Sequence, residues 1–313
     1  MNNLMFAINV IIPLFLMIVL GYGLTQFKIW DKAFVLKTNK ICFRIFLPIL
    51  LFNNIYQTDM YAILNTKLLL TTVIGILSVI LVASSIIIRI VKEDTRKGVL
   101  IQAIFRSNFV LFGIPMVENI FGNQGTGVAS TLIAIVIPIF NFAAVFVLEL
   151  FTNSKKTSLL QVGKAIIHNP LIIASLLAIT VSLLHVHFPI AIEKSLKDLA
   201  GVATPLSLMM LGAQFELKGT RKNIKPILIG VIGKLFVVPA IVLPIFMQMS
   251  FNAYEMVALL AAFAAPTAVN SFIMAQEAGA DGELAGQIVV IGTVLSPLSL
   301  CLFIYLYKVF EII

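Results

Sequence analysis

The stretch IQAIFRSNFVLFGIPMVENIFGN, Ile101–Asn123, sets Arg106 and Asn108 inside an apolar run and then brings Gly113 and Pro115 close together. It reads as a membrane helix that starts near residue 98. A proline within a helix removes one backbone donor and clashes with the preceding turn, and a neighbouring glycine loosens the backbone further. The sequence therefore predicts a break at Gly113-Ile114-Pro115. Non-helical backbone at membrane depth persists only where it is buried in protein or lines a wet cavity. A second predicted break, Ala264-Ala265-Pro266-Thr267, precedes Asn270 and Ser271 in the other half of the chain. Two interrupted helices in corresponding halves point to a transporter binding site.

Working outward, the composition agrees. Of 313 residues, 60% are hydrophobic and 12% charged, with a mean hydropathy of +1.06. A soluble domain does not read this way; long apolar runs of about 20 residues are membrane helices. The expected fold is an all-α polytopic membrane protein. Ten spans are predicted, over 4–24, 34–56, 67–90, 98–121, 125–151, 165–185, 199–217, 224–248, 254–277 and 283–307. KIWDKAF before the second span reads as an interfacial piece anchored by Trp30, and AIEKSLKDLA before the seventh as an interfacial helix leading into it. The first apolar run lacks a charged region ahead of it and a cleavage site, so it reads as a span and not as a removed signal.

A net charge of +8 would suggest nucleic acid in a soluble chain. Here the cations sort by loop instead. Loops one, three, five and seven carry most of them, including Lys97, Lys155, Lys156, Lys218 and Arg221, whereas the opposite side carries Lys67, Lys194, Lys197 and Lys308. Positive-inside logic places both termini outside the cytoplasm, in a multi-pass protein of the cell (plasma) membrane with the lipid bilayer as its partner. Nucleic acid is not expected as a partner.

Prolines recur along the chain. Pro13 and Pro170 are 157 residues apart, Pro48 and Pro205 also 157, Pro138 and Pro297 159, and Pro115 and Pro266 151. The pattern predicts two five-helix repeats, residues 1–151 and 165–313, joined by a short cytoplasmic linker at 152–164. Five is odd, so the second repeat enters the membrane inverted, with helices 4 and 9 broken and crossing.

At a broken membrane helix the second half starts with unpaired N–H groups and the positive end of a dipole, a setting for an anion. Pro115 and Pro266 suit the first position of such a half-helix. Gly113, Asn108, Thr267, Asn270 and Ser271 complete the candidate substrate site; the alternative is that the polar groups only repair the breaks. Arg44, Arg106 and Lys234 are the deep cations, while Glu118, Glu149, Glu216, Glu255 and Glu277 fall near span ends. Deep cations without deep acids are costly unless something negative visits. Arg106 is the expected charge partner of that visitor, with Arg44 and Lys234 as further candidates. His168 reads as interfacial, and Cys42 and Cys301 as small buried apolar residues. No metal-ligand cluster, phosphate-cradling loop or nucleophile–base pair occurs, so no metal, cofactor or enzymatic activity is expected.

RSNFVLFGIPMVENIFG and APTAVNSFIMAQEAGADGELAGQIVVIGTVLSPLSL resemble the two signature regions of the auxin efflux carrier family, which includes bacterial malate- and malonate-type permeases and the plant PIN auxin carriers. The chain lacks the long central loop of the plant carriers and is similar to the prokaryotic branch. The resemblance implies a carboxylate-bearing substrate held where spans four and nine cross. It also implies a scaffold of spans one, two, six and seven, often dimeric, against which the other spans move like an elevator. The expected function is secondary transport of a small organic anion, with H+ or Na+ as candidate coupling ions. An uncoupled uniporter or channel and a non-transporting membrane sensor are the alternatives.

Overall fold

The structure, a computed structural model, describes residues 2–57, 66–121, 126–152, 159–215 and 222–313. Lys155, Lys156, Glu216, Lys218, Arg221 and residues 153–158 of the expected linker lie outside them. Every element among the described residues is helical. A chain this apolar must satisfy its backbone within each segment, and the helix does so.

The helices are α1 (Asn2–Gln26), α2 (Lys32–Ile41), α3 (Leu47–Tyr56), α4 (Thr66–Ile90), α5 (Asp94–Phe105), α6 (Phe109–Phe121), α7 (Thr126–Thr152), α8 (Leu159–His168), α9 (Pro170–Leu183) and α10 (Ile190–Ala213). They continue as α11 (Ile224–Ile232), α12 (Val238–Met247), α13 (Ala253–Ala264), α14 (Asn270–Glu277) and α15 (Gly282–Val309). π-Helical turns, Cys42–Phe46 and Gly233–Val237, join α2 to α3 and α11 to α12. Four stretches are long and apolar enough to cross a membrane alone: Thr66–Ile90, Thr131–Thr152, Ile224–Met247 and Gly282–Val309. The chain is a polytopic membrane protein.

Local chemistry explains the helix ends. Asp31 caps α2 by accepting from the Phe34 N–H at 2.6 Å, beside the tilted ring pair Trp30–Phe34. Asn169 caps α9, with Pro170 in its first turn, so this span starts after His168. Asn252 and Glu255 form a reciprocal capping box on α13. The stretch AIEKSLKDLA is no separate interfacial helix; it runs unbroken into α10.

Two helix groups emerge. In one, α1 and α3 pack on α10, and α3 on α9; the other gathers α4–α7 with α11–α15, and α1 packs on α15 across the two. In the first, α1 and α10 cross so closely that a Cβ on Gly21 would fall on the Met209 carbonyl, and one on Gly212 on the Ile18 carbonyl. Small residues permit this backbone approach in membranes. In the second, Arg96 reaches Asp281 at 3.0 Å and Asn223 at 3.1 Å, tying the start of α5 to those of α11 and α15.

The first predicted break is misplaced. α6 runs helically through Gly113 and Pro115, and the interruption lies upstream at Arg106–Asn108. A proline in a membrane helix is tolerated when neighbours satisfy the freed backbone. Gly113 serves packing: a Cβ there would meet the buried Phe109 ring. The second break does contain Pro266, but α14 begins at Asn270, so Pro266 is not its first residue. Ser107 and Thr267, one in each interruption, are 160 residues apart, close to the 157–159 of the other proline pairs. The 151 of Pro115 and Pro266 was the misfit.

Candidate functional site

The two interruptions lie against each other and repair each other. Each leaves the last carbonyls of the helix before it without a partner. Ser107 in the first donates its hydroxyl to Ala261 and Ala265 carbonyls at the end of α13, both at 3.2 Å. Thr267 in the second donates to the Ala103 carbonyl near the end of α5 at 2.8 Å. The backbone N–H of Asn108 donates to the Pro266 carbonyl at 2.8 Å. Lys234, from the second π-turn, points its ammonium at the Phe105 carbonyl at 3.5 Å. A cation is favourable at a helix C-terminus, and a buried unsatisfied carbonyl would cost about 1–3 kcal/mol.

The opposite ends are treated differently. The first residues of α6 (Phe109, Val110, Leu111) and of α14 (Asn270) face one cavity of about 60 Å³. At α14 the Ser271 and Phe272 N–H groups bond to the Ala268 and Val269 carbonyls just ahead of the helix, so its start presents the positive end of the dipole. Arg106, Asn108 and Asn141 line the same cavity, while Asn54, Thr204 and Ser207 form part of its far wall from the other helix group. Arg106 is 3% exposed. Its guanidinium donates to the Asn141 Oδ1 at 2.6 Å and touches the Met274 sulfur. None of the ion pairs seen among the described residues includes Arg106 or Lys234, whose contacts are neutral groups. The amide nitrogens of Asn108 and Asn141 are buried with no hydrogen-bond partner. The cavity thus gathers one buried cation, two idle amide donors and two half-helix N-termini.

Of the sequence-predicted residues, Arg106, Asn108 and Asn270 meet at this cavity. Pro266 and Thr267 lie in the adjoining interruption and serve backbone repair, as does Lys234. Ser271 is buried with its hydroxyl unpartnered, one residue past the lining. Gly113 and Pro115 lie further along α6. Arg44 is elsewhere: it is exposed in a second, polar cavity of about 470 Å³ with Phe43, Glu149, His168, Glu277 and Met274. Sequence reading missed Ser107 and Asn141. Asn141 had a signal, a lone amide midway through the apolar run IPIFNFAAV.

Residues 6–304 match the family described as membrane transport protein. The chain belongs to the auxin efflux carrier family. It is a family of transporters and not of enzymes, whose members sit in the membrane and act on small substrates. No curated protein matches the chain.

Proposed function

We propose that the chain is a secondary transporter of a small organic anion, a mono- or dicarboxylate such as malate, malonate or an auxin-like acid. One observation carries the reading: Arg106, the idle amides of Asn108 and Asn141, and the starts of α6 and α14 share a cavity whose lining holds no carboxylate. Preorganised N–H donors and a desolvated guanidinium bind a carboxylate far better than they bind water. In this reading Arg106 pairs with the anion, Asn108, Asn141 and Asn270 orient it, and Ser107 and Thr267 keep the interruptions intact.

The architecture proposed is ten spans in two inverted five-helix repeats, counting α2–α3, α5–α6, α11–α12 and α13–α14 as interrupted single spans. The reciprocal roles of Ser107 and Thr267 at a repeat-like separation support it. The division into an α1–α3, α9, α10 group and a remainder supports an elevator-like movement, with the small cavity between the two. Both termini outside the cytoplasm of a plasma-membrane homodimer belong to the same proposal, on the loop cations and the family resemblance.

Uptake of labelled malate, malonate and indole acetate into proteoliposomes tests it. Saturable uptake that fails in Arg106→Ala and Asn270→Ala is expected; wild-type rates in both variants would overturn the site. A second reading, an uncoupled uniporter, is favoured by the cavity lining, which offers no carboxylate or imidazole to carry a proton. Imposing pH and sodium gradients separates the two, since only a coupled carrier accumulates substrate above equilibrium.

A further inference from the structure

A contact between Arg106 and Met274 links the small cavity to the larger polar one. Arg106 lines the first, Met274 lines the second, and the Arg106 guanidinium touches the Met274 sulfur. Met274 is 2% exposed on α14. The larger cavity, with Arg44 and His168 among its walls, is a vestibule of about 470 Å³. At this point the partition is one side chain thick.

We infer that Met274 is the plug between vestibule and crossing cavity, the group an incoming anion displaces from Arg106. The inference rests on the reading of the small cavity as the anion site. A thioether is a weak acceptor, so it gives a buried guanidinium little, whereas a carboxylate makes charge-assisted, bidentate contacts. Methionine is unbranched, with three rotatable bonds, and vacates a position without backbone movement. The exchange of sulfur for carboxylate therefore runs downhill once an anion reaches the vestibule. The helix bearing the plug is held from the other helix group. Gln276, two residues on, accepts from the Asn39 amide of α2 and donates to Gln214 at the end of α10 at 2.7 Å. This amide ladder keeps α14 in place while the Met274 side chain swings.

The test uses the full chain in proteoliposomes, with Cys42→Ala and Cys301→Ala as background and Thr204→Cys as a reporter in the small cavity. A charged, membrane-impermeant methanethiosulfonate is applied to each side in turn; His168→Cys identifies the vestibule side. Met274→Ala is expected to speed reporter labelling from that side about tenfold or more, the factor that a ~1.4 kcal/mol lower barrier gives. Met274→Leu, which keeps the volume, is expected to leave the rate near that of the parent. An unchanged rate in Met274→Ala, or equal acceleration from both sides, overturns the plug. If Met274→Ala does not fold, Met274→Val is read in the same way. The labelling rate does not depend on what Arg106 binds. Normal uptake in Arg106→Ala with fast labelling in Met274→Ala would sink the anion site and leave the plug standing; the converse would do the opposite.

Discussion

Arg106 and Lys234 both meet the end of α5, and both are buried without an acidic partner among the described residues. In composition they are the same anomaly, a deep cation in an apolar chain. Their surroundings differ. Lys234 faces a helix C-terminus, where the Phe105 carbonyl and the dipole supply fixed negative character. Arg106 sits at an interruption beside two half-helix N-termini, with a neutral amide oxygen and a sulfur, and no carboxylate, as its contacts. One cation is already answered by backbone; in the proposed function the other pairs with the substrate. Depth alone does not identify a substrate charge partner.

The contrast breaks first at Arg106. Arg106→Met should lower uptake at least ~30-fold, the equivalent of the ~2 kcal/mol at the low end for removing one member of a buried charge pair. Arg106→Lys should recover only part, because an ammonium lacks the fork that grips a carboxylate bidentately. Next come Asn108→Ala and Asn141→Ala. Each removes a buried amide NH2 without a partner in the protein, so apparent substrate affinity should fall about tenfold, in line with ~1–1.5 kcal/mol per hydrogen bond. Thermal stability should stay nearly unchanged in Asn108→Ala but fall in Asn141→Ala, which also takes the Oδ1 acceptor from Arg106. The repair residues should behave in reverse. Ser107→Ala and Thr267→Ala leave buried carbonyls unmet and should lower unfolding stability by about 1–3 kcal/mol, with KM for the remaining folded protein close to that of the parent. Smallest is Lys234→Met, which exchanges a buried charge for an apolar side chain. Such replacements are often neutral, so uptake should stay within about twofold; a loss as large as that of Arg106→Met would erase the distinction.

The second break was legible in the sequence because Pro266 lies within it. The first was not read correctly, because Gly113 and Pro115 outweighed Ser107-Asn108. Ser and Asn are strong N-cap residues, and their place just before Phe109 was the better sign of a helix start. Even that sign needs its partner: the Asn108 N–H is satisfied by the Pro266 carbonyl, more than 150 residues away. Thr267 looked like a ligand residue for the same reason. Its hydroxyl has two uses, and only the nearby Ala103 carbonyl decides between them.

From the sequence alone, membrane residence and helicity follow, since a chain in lipid satisfies its backbone only as helices or a closed barrel, and apolar runs of about 20 residues select the helix. So does the presence of interruptions and of a cation too deep to be solvated. Tertiary structure decided which ends of the half-helices stay open. Repair by Ser107, Thr267 and Lys234 comes from chain segments far apart in sequence, and it covers carbonyls at the ends of α5 and α13 while the starts of α6 and α14 line the cavity. Arg106 and the idle amides of Asn108 and Asn141 give the cavity its positive character, and no local pattern encodes their meeting.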